Sequence, residues 1–237
     1  MNIYKFHSNP DELIKLTNIP DEVDGSDWDG EDAGIVGVLL SIGAPLKVIN
    51  GNVDLSSEDN EHIPANLLVK GDLSLSSSSL VSIGDNVTIE GNLRIADTSI
   101  NELPNNLTVH GSIVASRNIG LEYIGHNLYV GGDLFLNDTS VSFLPSDIHV
   151  GKSIDLNHST ITELPQNFEV NGYLNLSATP ITELPKGLDV EGDLWLDGSA
   201  IEKLPDDLMV GLTLNISSTD YLDKSNLDKL EIRNIQQ

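Results

Sequence analysis

Apolar β-formers return at a fixed interval along most of the chain, at Ile49, Val69, Ile89, Val109, Val130, Val150, Val170, Val190 and Val210. The interval is twenty residues, with one insertion near 119–121 that lengthens a single coil to 21. Self-similarity at such a period marks a solenoid, in which each repeat buries its apolar face only against its neighbours. Four and six residues after each of these positions comes a second apolar pair, as in Leu73 and Leu75, Leu93 and Ile95, Leu134 and Leu136, Leu174 and Leu176, and Leu194 and Leu196. That alternation predicts a short strand with one face inward. An apolar residue followed by Pro or Gly then closes each coil: Ile63-Pro64, Ile83-Gly84, Leu103-Pro104, Ile124-Gly125, Leu144-Pro145, Leu164-Pro165, Leu184-Pro185 and Leu204-Pro205. Proline has no N–H for a ladder, so regular pairing ends there. Strand pair, turn and exit consume nearly all twenty residues, so no coil has room for a helix.

A small hydrogen-bonding side chain stands three residues past the second strand leucine, at Ser78, Thr98, Asn118, Thr139, Ser159, Thr179, Ser199 and Thr219. In stacked coils such a column is expected to bond the turn backbone of neighbouring coils, satisfying groups that the bend would bury unpaired. This is a structural role, not a catalytic one.

The segment Leu-Trp-Leu-Asp-Gly-Ser-Ala-Ile at 194–201, with the Leu-Pro exit at 184–185, resembles the leucine-rich repeat signature L-x-L-x-x-N-x-L, with Ser or Thr usually in place of the asparagine. The twenty-residue length and the Leu-Pro element are similar to the short bacterial subtype found in host-targeted effectors. The V-x-G-x-L-x-L variant also resembles uncharacterised repeat proteins of phages and prophages. The resemblance spans 46–219 and implies a leucine-rich-repeat-like solenoid, mainly β, of about nine coils with parallel strands and short capping segments. It further implies an effector or a phage-encoded inhibitor that acts by binding. One departure stands out: the apolar residue before the strand pair lies four residues upstream, where the family has three, often with glycine between (Gly71, Gly91, Gly132, Gly172, Gly192). The extra residue suggests a second short strand or a bulge. A true leucine-rich repeat and another β-solenoid geometry both stay open on the pattern alone.

The ends lack the repeat, which divides the chain into an N-terminal cap over 1–45, the solenoid over 46–219 and a C-terminal cap over 220–237. Ser8-Asn9-Pro10-Asp11-Glu12 reads as a helix start and predicts a short helix over 11–17. Residues 21–32 hold seven acidic side chains in twelve and read as a solvated loop. Asp27-Trp28-Asp29-Gly30 is only a fragment of a calcium loop, without the further carboxylates at fixed spacing. The apolar stretch 34–43 is expected to lie over the first coil. At the other end Ser225 is expected to start a short amphipathic helix through Leu227, Leu230 and Ile232.

Charge narrows the function classes. Thirty-seven acidic side chains face 12 basic ones, a formal charge of -25 that repels nucleic acid and anionic membrane and suits a basic protein partner. The first residues have no basic-then-apolar leader and no stretch approaches the roughly 20 apolar residues of a membrane span, which points to a cytoplasmic protein of a bacterium or an infected host cell. With no cysteine there is no disulfide, thiolate metal site or cysteine nucleophile. The six histidines fall in different columns, so stacking does not gather a metal set, and no cofactor motif is present. Gly151-Lys152-Ser153 lacks the upstream glycine and the helix of a phosphate loop. Asp133, Asp155 and Asp193 could pair as in polysaccharide-cleaving β-solenoids, but many acids on a small surface form such pairs by chance, and the chain reads as no enzyme.

Residues flanking the two strand leucines are expected to point outward. That places Asp54, Ser74, Arg94, Val114, Phe135, Asp155, Asn175, Trp195 and Asn215 in one column, and Asn52, Asp72, Asn92, Ser112, Asp133, Ser153, Tyr173, Asp193 and Thr213 beside it. Phe135, Tyr173 and Trp195 among Asp133, Asp155 and Asp193 form the candidate partner-binding site, since aromatics among carboxylates suit Arg and Lys on an apolar base. The sequence therefore reads as a non-catalytic protein-binding scaffold that engages a basic surface. An acidic nucleic-acid mimic that blocks a DNA- or RNA-binding protein, and a structural spacer, are the alternatives from other classes.

Overall fold

The computed structural model describes residues 22–24, 48–230 and 232–236. The helix expected over 11–17 and the apolar cover at 34–43 lie outside the described residues. The chain winds as a mainly β solenoid of nine coils, every strand parallel to its neighbour one coil away. Each coil contributes up to three short strands. The first carries the valine column, as in Thr108–Val109; the second carries the leucine pair, as in Ile113–Val114; the third precedes the Pro or Gly exit, as in Glu102–Leu103. The extra residue upstream of the leucine pair thus has a strand of its own, turned away from the second by a bend at the glycine column.

Register keeps identical columns in contact. Val109 pairs with Ile89 below and Val130 above, and Ile113 pairs with Leu93 and Leu134. The 21-residue coil changes neither ladder, because its extra residue is absorbed in the turn at 118–121, where Leu121 N–H donates to Asn118 O and Ile119 is left 81% exposed. Inside, Ile89, Val109, Val130, Leu93, Ile113, Leu134, Ile95 and Leu136 are completely buried and form one continuous core with their counterparts in other coils. At about 25 cal/mol per Å² of apolar surface, this interior supplies the main drive for folding.

The turns are set by local chemistry. After the second strand, Ser57, Ser77, Asp97, Arg117, Asp138, His158, Ala178, Gly198 and Ser218 all lie at φ between 54 and 64°. A second left-handed column follows the exit, at Asn66, Asn86, Asn106, Asn127, Asn167 and Gly187, where asparagine tolerates the conformation best after glycine. There the side chains form a ladder: Asn86 Nδ2 donates to Asn66 Oδ1 (3.1 Å), Asn106 Nδ2 to Asn86 Oδ1 (2.9 Å) and Asn127 Nδ2 to Asn106 Oδ1 (3.0 Å). At the exit itself, Gly125 replaces proline because a Cβ there would stand 2.5 Å from the backbone of Pro104.

The Ser/Thr column behaves differently from expectation. Thr98, Thr139, Thr179 and Thr219 donate to carbonyls of their own coil three residues back, at 2.6 to 3.0 Å. Ser78 and Ser159 accept N–H groups of Leu80 and Ile161 in their own coils. In this column these hydroxyls turn back into their own coil. Asn118, with a longer amide, does cross, accepting Thr98 N–H at 2.6 Å and donating to Ile95 O at 2.7 Å.

Both ends extend the ladders. Glu22–Asp24, expected within an acidic loop, pairs in parallel with Val48–Asn50 and continues the first ribbon by one strand. At the far end Met209–Asn215 runs through the bend as a single strand and joins the two ribbons into one sheet. The C-terminal helix expected from Ser225 is instead one 3-10 turn, Leu227–Lys229, followed by the strand Ile232–Gln236 paired to Met209–Asn215. A seven-residue helix cannot repay its nucleation cost, whereas the open strand edge offers a ladder immediately.

Candidate functional site

The outward columns of the second strand hold the candidate residues. The column of Asn52, Asp72, Asn92, Ser112, Asp133, Ser153, Asp193 and Thr213 sits at the bend, where main-chain N–H groups turn away from both ladders. Its side chains take up those donors one coil at a time. Asp72 N–H donates to Asn52 Oδ1 (2.8 Å), Asn92 N–H to Asp72 Oδ1 (2.7 Å), Ser112 N–H to Asn92 Oδ1 (2.9 Å) and Asp133 N–H to Ser112 Oγ (3.0 Å). Further up, Ser153 N–H donates to Asp133 Oδ1 (3.1 Å) and Thr213 N–H to Asp193 Oδ1 (2.9 Å). Asp133 and Asp193 therefore hold the scaffold together, and the second oxygen of Asp133 also takes the Ser112 hydroxyl at 3.4 Å. Asp72 shows the electrostatic consequence: its bond from Asn92 N–H, helped by Arg94, holds the carboxyl below its ordinary value.

The adjacent column is half covered rather than open. Phe135, Asp155 and Trp195 are each part-buried, and Asn175 is buried at 6% exposure. Asp155, Asn175 and Asn215 each accept the N–H two residues on at 3.0 Å, from Asn157, Ser177 and Ser217, forming Asx turns that start the bend. Phe135 neighbours Asp155, Asp155 neighbours Asn175, and Asn175 neighbours Trp195. Two of the three aromatic rings meet: Tyr173 and Trp195 stack with centroids 5.0 Å apart and planes at 23°. Phe135 stands three coils below Trp195, roughly 14 Å at the usual strand spacing, with Asp155 between them.

Asp155 is the electrostatic centre of this patch. Burial raises its carboxyl above the ordinary value, more than the bond from Asn157 N–H lowers it, and Asp138 adds to the rise. None of the ion pairs among the described residues involves it. Burial also raises the Tyr173 hydroxyl, reinforced by Asp155 and Asp133. The patch is an aromatic wall beside a part-buried carboxylate that forms no ion pair among the described residues.

Further aromatic side chains stand on the other two faces of the solenoid. Tyr123 and Phe143, one residue before the exit apolar residues of adjacent coils, are 54% and 38% exposed on the third face. His110, Tyr129 and His149 gather on the first face, where Tyr129 and His149 stack with centroids 4.9 Å apart and His110 meets Tyr129 edge-on. Outward parity in these strands is the signal that marks them. Among the described residues no group of three or more His, Asp or Glu could hold a metal ion, and no helix is long and apolar enough to cross a membrane. No protein-family model matches the chain, and no curated protein is significantly similar to it.

Proposed function

We propose that the chain is a non-catalytic scaffold that captures a basic protein surface through the patch of Phe135, Asp155, Tyr173 and Trp195, with Asp133 and Asp193 along its edge. The observation that carries this reading is the stacked Tyr173–Trp195 pair beside a part-buried Asp155 that forms no ion pair among the described residues. A partner Arg or Lys placed there gains a charged acceptor and a ring face at once, and relieves the desolvation of the carboxylate. The surrounding charge of -25 speeds encounter with a basic surface and makes the complex sensitive to salt. A cytoplasmic inhibitor or effector, of bacterial or phage origin, is the role that fits a binding module of this kind.

The decisive experiment is affinity capture at low and moderate salt with the wild-type chain and with a Phe135→Ala, Tyr173→Ala, Trp195→Ala variant. One basic protein held by the wild type and released by the variant supports the reading. Identical behaviour of the two chains sinks it.

A further inference from the structure

Among the described residues the first ribbon is interrupted once. His149–Val150 is the last strand of the seven-stranded sheet, and the next first-ribbon strand, Glu169–Val170, belongs to the other sheet. In neighbouring coil pairs two backbone bonds close this position. His149 N–H donates to Leu128 O (2.9 Å) and Gly151 N–H to Val130 O (2.8 Å) below; Asp189 N–H donates to Phe168 O and Glu191 N–H to Val170 O (both 2.9 Å) above. The equivalent donors, Glu169 and Asn171, form no such bonds to Ile148 and Val150. Only the Asn171 side-chain amide crosses, to Gly151 O at 3.4 Å. The second ribbon stays closed, with Gly172 N–H on Lys152 O at 3.1 Å and Ile154 N–H on Tyr173 O at 2.8 Å. The two coils are therefore parted on one side only.

The cause lies in one core column, Leu67, Val87, Leu107, Leu128, Ile148, Phe168, Leu188 and Leu208, whose single aromatic is Phe168. A phenyl ring exceeds the space of an aliphatic side chain, and a close-packed interior answers by moving backbone. Phe168 is 8% exposed and Val150 7%, whereas Leu107, Val130, Leu188 and Val190 are each at 0%. The parting leaves a cavity of about 240 Å³ lined by Ile148, His149, Pro165, Phe168, Glu169 and Asn171 among others.

The chemistry of this opening is directional. The carbonyls of Ile148 and Val150 lie on one lip, and the other carries the N–H groups of Glu169 and Asn171 with the exposed Glu169 carboxylate outside them. His149 has Tyr129 stacked on the face toward the preceding coil, so its other face looks toward the coil of Glu169. Acceptors along a slot beside a ring face match a flat, positively charged donor. A guanidinium is planar, carries five N–H groups and stacks on rings, while an ammonium satisfies only the charge. We infer that the opening between His149–Val150 and Glu169–Val170 is a binding site for the guanidinium of a partner arginine. The inference rests on the protein-binding reading but uses a different face of the solenoid.

The test is amide NMR of the full chain titrated with methylguanidinium chloride, with methylammonium chloride at equal ionic strength as the comparison. Saturable shifts at Val150, Glu169 and Asn171 are expected with a Kd on the order of 10 mM, and binding several-fold weaker for methylammonium. Glu169→Gln should weaken methylguanidinium about fivefold, the upper end for an exposed ion pair. Phe168→Leu restores the aliphatic column, so the ribbon should close, the Glu169 and Asn171 amides should become protected from exchange, and the shifts should vanish. Absence of saturable shifts, equal binding of both cations, or unchanged binding by Phe168→Leu overturns the inference. So does wild-type exchange at Glu169 and Asn171 as slow as at Thr108 and His110. The two readings fail separately: loss of the partner in the Phe135, Tyr173 and Trp195 variant leaves the methylguanidinium shifts in place, and absent shifts with that partner still captured reject the opening alone.

Discussion

Replacing Asn118 with alanine tests how the coils are held at their turns. Asn118 is completely buried and is the one member of its column that bonds the coil below. It accepts Thr98 N–H at 2.6 Å and the Thr98 hydroxyl at 3.2 Å, and its amide donates to Ile95 O at 2.7 Å. In Asn118→Ala, Ile95 O keeps the Thr98 hydroxyl at 3.0 Å, but Thr98 N–H loses this acceptor. An orphaned donor costs about 1–3 kcal/mol and the lost amide bond about 1, so a destabilisation of about 3 kcal/mol is expected. Asn118→Thr restores the residue type of Thr139 and Thr179, which bond only within their own coils, so it should still cost about 2 kcal/mol. Urea unfolding of the full chain reads both values from the midpoint, with an unchanged slope showing that the same surface is exposed. Hydrogen exchange at the Thr98 amide should accelerate in both variants. A cost below about 0.5 kcal/mol for alanine, or wild-type stability for threonine, would refute the idea that a cross-coil amide holds this turn.

Two further outcomes follow from the same geometry. Asn106 sits at φ 56° in the asparagine ladder, so Asn106→Leu should cost about 2 kcal/mol through left-handed strain and two lost amide bonds, and Asn106→Gly only about 1, in the same urea assay; equal costs would deny the strain. Asp155→Asn should raise the unfolding free energy read from the urea midpoint at neutral pH by less than about 1 kcal/mol, because Asn175 and Asn215 already make the same Asx turn in its column. The sign follows from burial: a carboxyl raised in the fold binds its proton more tightly there, so ionisation weakens the wild type as pH rises through the ordinary value of 3.8 and beyond. The advantage of asparagine should therefore fade as pH falls below that value, and a difference independent of pH would contradict the assignment.

The repeat was legible because its physics is local and periodic. Inward Val109, Ile113 and Ala115 and the exit at Leu103-Pro104 give one coil, and the next coil repeats it, so a column found once predicts its neighbours. The bend acceptors were visible as outward residues, but not as acceptors. Asp133 and Asp193 could be counted as surface charges until the coils were stacked and the N–H groups of Ser153 and Thr213 were found pointing at them. The ends were less legible for the opposite reason. Leu227, Leu230 and Ile232 have helical spacing, yet the segment's conformation depends on the strand edge at Met209–Asn215 that receives it.

The candidate site divides in the same way. Outward parity put Phe135, Tyr173 and Trp195 on one face, but only the three-dimensional winding decided that Tyr173 stacks on Trp195 while Phe135 stands apart across Asp155. The sequence determined a parallel β solenoid, its coil count, its inward columns and its excess of negative charge, because these depend on period and composition. Tertiary structure decided which carboxylates are occupied by backbone donors, which one is desolvated, and where the first ribbon parts around Phe168. Those outcomes depend on distances between residues about twenty apart in sequence, set by the stacking of whole coils rather than by any residue's own preference.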